Sequence, residues 1–199
     1  MSVLSAGHPY FERHFQHQAV KLLPGEYLAT RPGVLLVTVL GSCVAACLRD
    51  PVSGVSGMNH FMLPDTSGRE GNALTLARFG VHAMALLIND MLKLGAERQR
   101  IEAKVFGAGS VLEGMDKLNV GELNARFVCD YLAREQIPVV AEDLLGDSAR
   151  KVYFFSSNGK VMVKRILPDK LPGVVAEEVR YRRTLGGGDA GGEVELFVV

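Results

Sequence analysis

The sequence has no tryptophan, only three cysteines and no surplus of charge of either sign. Lysine plus arginine and aspartate plus glutamate are both 22, so the formal net charge is zero. Because a neutral chain lacks the basic field that attracts phosphates, we expect no nucleic-acid partner. No apolar run reaches the roughly 18 residues of a membrane helix, so we expect no membrane insertion. Three cysteines cannot all pair, and the first residues lack the pattern of a signal peptide, which together predict a reduced, cytoplasmic protein.

What is present is the pattern of one globular domain, with 48% hydrophobic and 22% charged residues. We assign residues 1–23 to an N-terminal extension, 24–167 to the main domain and 168–199 to a partly flexible tail containing TLGGGDAGG. The fold class predicted is α+β, a layered sandwich of mixed, largely antiparallel sheet with two main helices. The predicted strands lie at 34–40, 44–48, 57–63, 101–106, 138–142, 151–156 and 160–166, and the predicted helices at 74–94 and 121–135.

Cys43 stands directly after a Gly-Ser pair that interrupts two apolar strands. If residues 44–49 and 56–62 form a hairpin around a loop at 50–55, His60 lies opposite Ala45. Cys43 is then a diagonal neighbour of His60 on the same face, within reach of its side chain. A slip of one residue would place the two side chains on opposite faces.

A cysteine beside a histidine is the minimum equipment for nucleophilic acyl transfer, because an imidazole promotes the reactive thiolate. Gly41 permits a sharp turn and close approach of a substrate. Backbone N–H groups around Ser42 and Cys43, freed from the sheet, are candidates to bind a developing oxyanion. Three nearby polar side chains are candidates to orient the histidine or the substrate: Thr38, Ser42 and Asn59.

Other interpretations of these residues remain open at this point. A cysteine in an apolar strand is most often a small buried hydrophobe, and we assign Cys47 and Cys129 to the core. Cys43, Cys47 and His60 are possible zinc ligands, but the spacing departs from common zinc sites and no fourth ligand is evident. We therefore predict no metal and no cofactor. The Gly-Ala-Gly run at 107–109 lacks a phosphate-binding pattern and is explained by loop geometry.

Five segments occur in order between residues 24 and 166: LGSCVAACLRDP, GMNHFMLP, EAKVFGAGS, VVAEDLLG and RKVYFF. They resemble the signature blocks of the CheD family of bacterial chemoreceptor glutamine deamidases. The resemblance implies a layered α/β fold similar to the toxin-type glutamine deamidases related to cytotoxic necrotizing factor. It places the catalytic cysteine at Cys43 and the catalytic histidine at His60. The family's upstream threonine stands five or six positions before the cysteine, where this chain has Thr38 and Val37.

The resemblance also implies a substrate and partners. The activity is hydrolysis of selected glutamine side chains to glutamate on methyl-accepting chemotaxis receptors, which contributes to adaptation. Some members bind a CheC-type phosphatase, which is a second expected partner, and we expect a monomer. Two rival functions stay open: an acyl hydrolase acting on receptor methyl esters or peptides, and a binding protein that acts through its CheC partner.

Overall fold

The computed structural model describes residues 4–5, 7–63, 73–110, 120–166 and 171–187. Within these ranges the chain forms strands in two sheets, three α-helices and a short 3-10 turn at Arg98–Arg100. The strands are β1 Leu4–Ser5, β2 His8–Glu12, β3 His17–Lys21, β4 Tyr27–Thr30, β5 Leu35–Leu40, β6 Val44–Arg49, β7 Ser56–Asn59, β8 Glu102–Gly107, β9 Val139–Leu144, β10 Arg150–Phe155 and β11 Val161–Arg165. The helices are α1 Ala73–Lys93, α2 Val120–Arg134 and α3 Leu171–Gly187.

Both sheets are mixed and mostly antiparallel. The first has the order β1-β4-β7-β6-β8-β9, in which β8 and β9 are parallel neighbours. The second has the order β11-β10-β5-β3-β2, in which β3 and β5 are parallel neighbours. The predicted α+β class is confirmed, although α3 makes a third helix where the sequence pattern indicated two.

The two largest apolar layers among the described residues lie on the two faces of the first sheet. The layer between the sheets joins side chains of both: Leu22, Leu36, Leu40, Cys43, Ala45, Cys47, Met58, Phe106, Val152 and Phe154. On the other face of the first sheet, α1 and α2 cover alternate residues of β6, because strand side chains point to opposite faces in turn. No helix in the described part of the chain is long and apolar enough to cross a membrane.

The register proposed for the β6–β7 hairpin is confirmed. Cys47 pairs with Met58 and Leu48 with Gly57, and a further bridge joins Val44 to Phe61. This is the register that sets Ala45 against the His60 position, so Cys43 and His60 lie on the same side of the sheet. The predicted β10–β11 hairpin also forms, with antiparallel pairing along both strands.

The two ends of the chain contain structure that the sequence pattern did not indicate. Within the predicted extension, β2 pairs with β3, and β3 joins the second sheet beside β5. Within the predicted tail, α3 forms at Leu171–Gly187. The edge strand β2 is mostly exposed or half-exposed and therefore carries no clean apolar alternation. The apolar face of α3 is interrupted by a glutamate, and its last residues are glycines. The boundaries of the main domain itself stay a prediction.

Candidate active site

The Gly-Ser interruption is the point where the chain passes from one sheet to the other. β5 ends at Leu40 in the second sheet, and β6 begins at Val44 in the first. The three residues between them, Gly41, Ser42 and Cys43, are called the crossing. They leave both hydrogen-bond ladders, so their backbone N–H groups become available to other acceptors. Cys43 occupies the last position of this crossing, directly before β6.

The loop after β8 holds the crossing in place through two backbone hydrogen bonds. The N–H of Ala108 donates to the carbonyl of Cys43 and the N–H of Gly109 to the carbonyl of Gly41, both at 2.7 Å. Gly107 has a φ of +112°, and a Cβ there would lie 2.2 Å from the Cys43 carbonyl oxygen. Only glycine allows this approach, which explains the loop geometry expected for residues 107–109.

The structure brings Cys43, His60 and Thr38 together in a buried site. Thr38 lies on β5 and His60 follows β7, so the site takes groups from both sheets. The Thr38 Oγ1 lies 2.8 Å from His60 Nδ1 and donates to the carbonyl of Leu22, also at 2.8 Å. Because a hydroxyl has one hydrogen, Thr38 accepts the Nδ1–H of His60. The lone pair of the neutral ring is then on Nε2, which has no hydrogen-bond partner among the described residues.

Burial sets the protonation of the cysteine and the histidine. It lowers the pKa of His60 to about 4, although the nearby Glu178 carboxylate opposes this shift. It raises the pKa of the Cys43 thiol well above its ordinary value, and the negative charge of Glu178 raises it further. At neutral pH the arrangement therefore holds a protonated thiol beside a neutral imidazole.

Glu178 of α3 reaches the crossing from outside both sheets. Its Oε1 accepts the N–H groups of Gly41 at 2.9 Å and Cys43 at 3.0 Å. Its Oε2 accepts the N–H of Ser42 at 2.9 Å and the Ser42 hydroxyl at 2.8 Å. The carboxylate thus binds every backbone N–H of the crossing. It also lies with the Cys43 sulfur and a His60 ring nitrogen in a group whose atoms are all within 4.8 Å of one another.

Two asparagines have structural positions next to the site. The Asn124 amide on α2 donates to the Ser42 carbonyl at 2.9 Å and accepts the Leu63 N–H at 2.8 Å, which ties the crossing to the segment after His60. The predicted site residue Asn59 is placed elsewhere. Its amide accepts the Ala46 N–H at 3.0 Å and faces α1, on the opposite side of the sheet from His60.

Comparison with known proteins then places the chain in a family. A family model described as "CheD chemotactic sensory transduction" matches residues 62–165. A "Probable chemoreceptor glutamine deamidase CheD 2" from Chromobacterium violaceum is 54% identical over 194 residues, which is 96% of each chain. The chain belongs to the CheD family.

Further CheD relatives match at similar identity. The "Probable chemoreceptor glutamine deamidase CheD" of Laribacter hongkongensis is 53% identical and "CheD 1" of Shewanella oneidensis 54% identical, each covering 94% of this chain and 92% of the relative. These matches extend beyond the residues 24–166 that carry the resemblance in the sequence. Among solved structures, Bacillus licheniformis "hypothetical protein YfiH" aligns with a TM-score of 0.35 at 21% identity, over 60% of this chain and 51% of that one, which is too low for a structural comparison.

The sequence analysis of this CheD-family chain missed Glu178 and Asn124. Both are polar side chains on helices, where the default expectation is a solvent-facing position. The one available signal for Glu178 is its place in an apolar series, because Val174, Tyr181 and Leu185 lie at helical spacing around it.

A metal site at this position of the CheD-family chain would use Cys43, His60 and Glu178 rather than Cys47. A carboxylate has about four lone-pair positions, and those of Glu178 face four N–H and O–H donors. A cation at the carboxylate would have to displace these hydrogen bonds. The geometry therefore favours binding of a carboxyl group by the crossing over binding of a metal by the three side chains.

Proposed function

We propose that this chain hydrolyses the side-chain amide of selected glutamines on chemotaxis receptors, giving glutamate and ammonia, through a thioester on Cys43. One observation carries the proposal. The backbone N–H groups beside the thiol bind a glutamate carboxylate, which is the product of this reaction. The names of the CheD relatives support the substrate class.

The first half of the reaction forms the thioester. The Cys43 thiol transfers its proton to His60 Nε2, and the sulfur attacks the carboxamide carbon of the substrate. The negative charge on the substrate oxygen is stabilised by N–H groups of Gly41, Ser42 and Cys43. The protonated His60 then donates its Nε2 proton to the leaving nitrogen, so that ammonia departs as the carbon–nitrogen bond breaks.

The second half releases the product. Neutral His60 takes a proton from water as the water oxygen attacks the thioester carbon. The carbon–sulfur bond breaks, the sulfur recovers the proton from His60, and a glutamate side chain leaves. Thr38 acts as a positioning residue in both halves, because its oxygen holds the ring tautomer that keeps Nε2 toward the reacting groups.

The test is mass spectrometry of a receptor cytoplasmic fragment incubated with the chain. We expect glutamine-to-glutamate conversion at a few sites, with none for Cys43→Ala or His60→Ala. Cys47→Ala is the matched control, because Cys47 is buried on the same strand face but has no part in the mechanism. Residual conversion near the parent rate in either catalytic variant would refute the mechanism. Methanol release from a methylated receptor that exceeds ammonia release would favour an esterase instead.

The remaining expectations are part of the same proposal. A chemoreceptor deamidase acts where the cytoplasmic segments of receptors are, so we propose that this chain works in the cytoplasm. We also propose that its role is in chemotaxis adaptation. A CheC-type phosphatase as partner is tested by pull-down with the Cys43→Ala variant. The monomeric state is tested by sedimentation of the full chain.

A further inference from the structure

The site that carries the proposed chemistry is closed to a substrate in this structure. The exposed fraction is 0% for Cys43, 2% for His60 and 3% for Ser42. The Glu178 side chain fills the position in front of the backbone N–H groups and is itself only 1% exposed. A receptor glutamine cannot bind to these donors while the α3 carboxylate occupies them.

One face of α3 covers the site, and Glu178 is at its centre. The residues that face inward follow helical spacing of three and four: Leu171, Val174, Glu178, Tyr181 and Leu185. Tyr181 and Leu185 pack against the layer between the sheets that contains Cys43. The other end packs against Ala149 and Val39 through Val174. Helix α3 is thus an amphipathic helix that presents a glutamyl side chain to the nucleophile.

The contacts of Glu178 are those of a reaction product rather than of an ordinary surface carboxylate. Each carboxylate oxygen accepts two hydrogen bonds from the crossing. Three of these four bonds come from the backbone N–H groups assigned to the substrate oxygen in the proposed reaction. Its charge also opposes ionisation of the thiol, since Glu178 helps to raise the pKa of Cys43. A bound carboxylate therefore both fills the site and disfavours the nucleophilic thiolate.

We propose that α3 is an internal product mimic: it lies on the surface that receives the substrate's glutamine-bearing helix and must leave before a receptor can bind. This inference rests on the proposed function, because it identifies Glu178 with the glutamate that the reaction produces. The apparent Kd for the receptor is then the intrinsic Kd divided by the fraction of molecules in which α3 is undocked.

The docked helix also describes the substrate it replaces. Relative to Glu178, apolar side chains stand four residues before, three residues after and seven residues after, at Val174, Tyr181 and Leu185. A substrate helix that docks in the same way presents apolar residues at these positions around its target glutamine. Receptor glutamines with this spacing are expected to be converted first.

The first experiment measures alkylation of Cys43 by iodoacetamide, followed by peptide mapping. We expect Glu178→Ala to raise the alkylation rate of Cys43 by about tenfold or more, because the closed fraction falls. The matched control is Glu177→Ala, which removes the same charge from α3 and a partly exposed ion pair with Lys21 at 3.6 Å. The charge of Glu177 also raises the pKa of Cys43, but less than that of Glu178, so this control should change alkylation far less than Glu178→Ala. Cys47 in the same molecules reports general loosening, since it lies buried between the sheets.

The second experiment measures receptor deamidation by the same variants. Glu178→Ala is expected to lower KM for the receptor fragment by about tenfold, with a smaller change in kcat. Glu178→Gln keeps the size of the side chain but replaces one acceptor oxygen with an NH2 group, so two of the four donors of the crossing lose their acceptor. It should fall between the wild type and Glu178→Ala, and it replaces the alanine variant if that variant fails to fold.

The outcomes separate this inference from the proposed function. If the wild type converts receptor glutamines and neither Glu178 variant changes Cys43 alkylation or KM, the product mimic is refuted and the deamidase stands. If Cys47 becomes reactive in parallel with Cys43, the helix is a structural support and the inference is also refuted. If Glu178→Ala exposes Cys43 but no variant converts any receptor, the proposed function fails, and the identification of Glu178 with a product fails with it.

Discussion

Replacement of Thr38 by valine tests the tautomer assigned to His60. Valine has nearly the same shape as threonine but lacks the hydroxyl that accepts the His60 Nδ1–H at 2.8 Å. Because position 38 is fully buried, water cannot replace this acceptor and the Nδ1–H is left unpaired. A buried donor without a partner costs about 1–3 kcal/mol. If this cost adds to the activation free energy of the step in which His60 acts, kcat falls by about 5- to 160-fold.

The assay is steady-state deamidation of a receptor fragment at saturating concentration, with thermal melting as a check on the fold. The variant also leaves the Leu22 carbonyl without its hydroxyl donor, so a lower melting temperature is expected as well. The pH profile separates positioning from stability. Without an acceptor for Nδ1–H the imidazolium is less stable, so the acidic limb of the profile moves to lower pH.

The control is Thr38→Ser, which keeps the hydroxyl and the acceptor while it removes a methyl group. We expect it to retain kcat within about threefold of the wild type and to keep the wild-type pH profile. The reasoning is refuted if Thr38→Val keeps wild-type kcat and profile. It is also refuted if the serine variant loses as much activity as the valine variant, because packing would then explain both.

Two further predictions concern stability. Gly107 and Gly33 have similar φ values of +112° and +118°, but a Cβ at Gly107 would meet the Cys43 carbonyl and one at Gly33 meets nothing within 4 Å. Alanine at either position carries backbone strain of about 1–3 kcal/mol, and Gly107→Ala should lose at least about 1 kcal/mol more in denaturant unfolding, with lower activity; equal losses would contradict the close approach. Burial alone would raise the pKa of Asp50, but hydrogen bonds from Arg100 and from backbone N–H groups outweigh it and hold the pKa below its usual value. A folded-state pKa below the unfolded value near 4 stabilises the fold at pH values above about 4. The wild type should therefore lose stability relative to Asp50→Asn as the pH falls below about 4. Melting temperatures of the two proteins that change in parallel with pH would argue against this role.

Much of the fold was predictable because alternation and helical stripes report burial directly. The predicted hairpin strands at 44–49 and 56–62 flank a turn signal at Asp50 and Pro51, and this restricted their pairing to a few registers. The register that pairs Ala45 with His60 is confirmed by the observed partners of β6 and β7. The proximity of the cysteine and the histidine followed from that register together with the period of a strand.

The rest depended on contacts that local patterns do not report. The carboxylate of Glu178 reaches Gly41 across 137 positions of the sequence, and its neighbours in the chain are ordinary helix formers. The apolar residues at helical spacing around it are the one local sign that this glutamate faces inward, and they do not indicate which backbone groups it contacts. Asn59 was misplaced for a related reason. It is adjacent to His60 in sequence, and adjacent strand residues point to opposite faces, so its amide serves α1 instead of the site.

The passage of the chain between two sheets at residues 41–43 has a consequence for folding. Thr38 belongs to one sheet, Cys43 lies at the crossing, and His60 follows a strand of the other. Neither sheet alone contains a complete set of reacting groups, so the set exists only after the two apolar faces have come together. Recovery of thiol chemistry during refolding would therefore report the closure of the sandwich, later than signals from secondary structure. Substitutions that open a gap between the sheets should then reduce the recovered activity before they reduce helix or strand content.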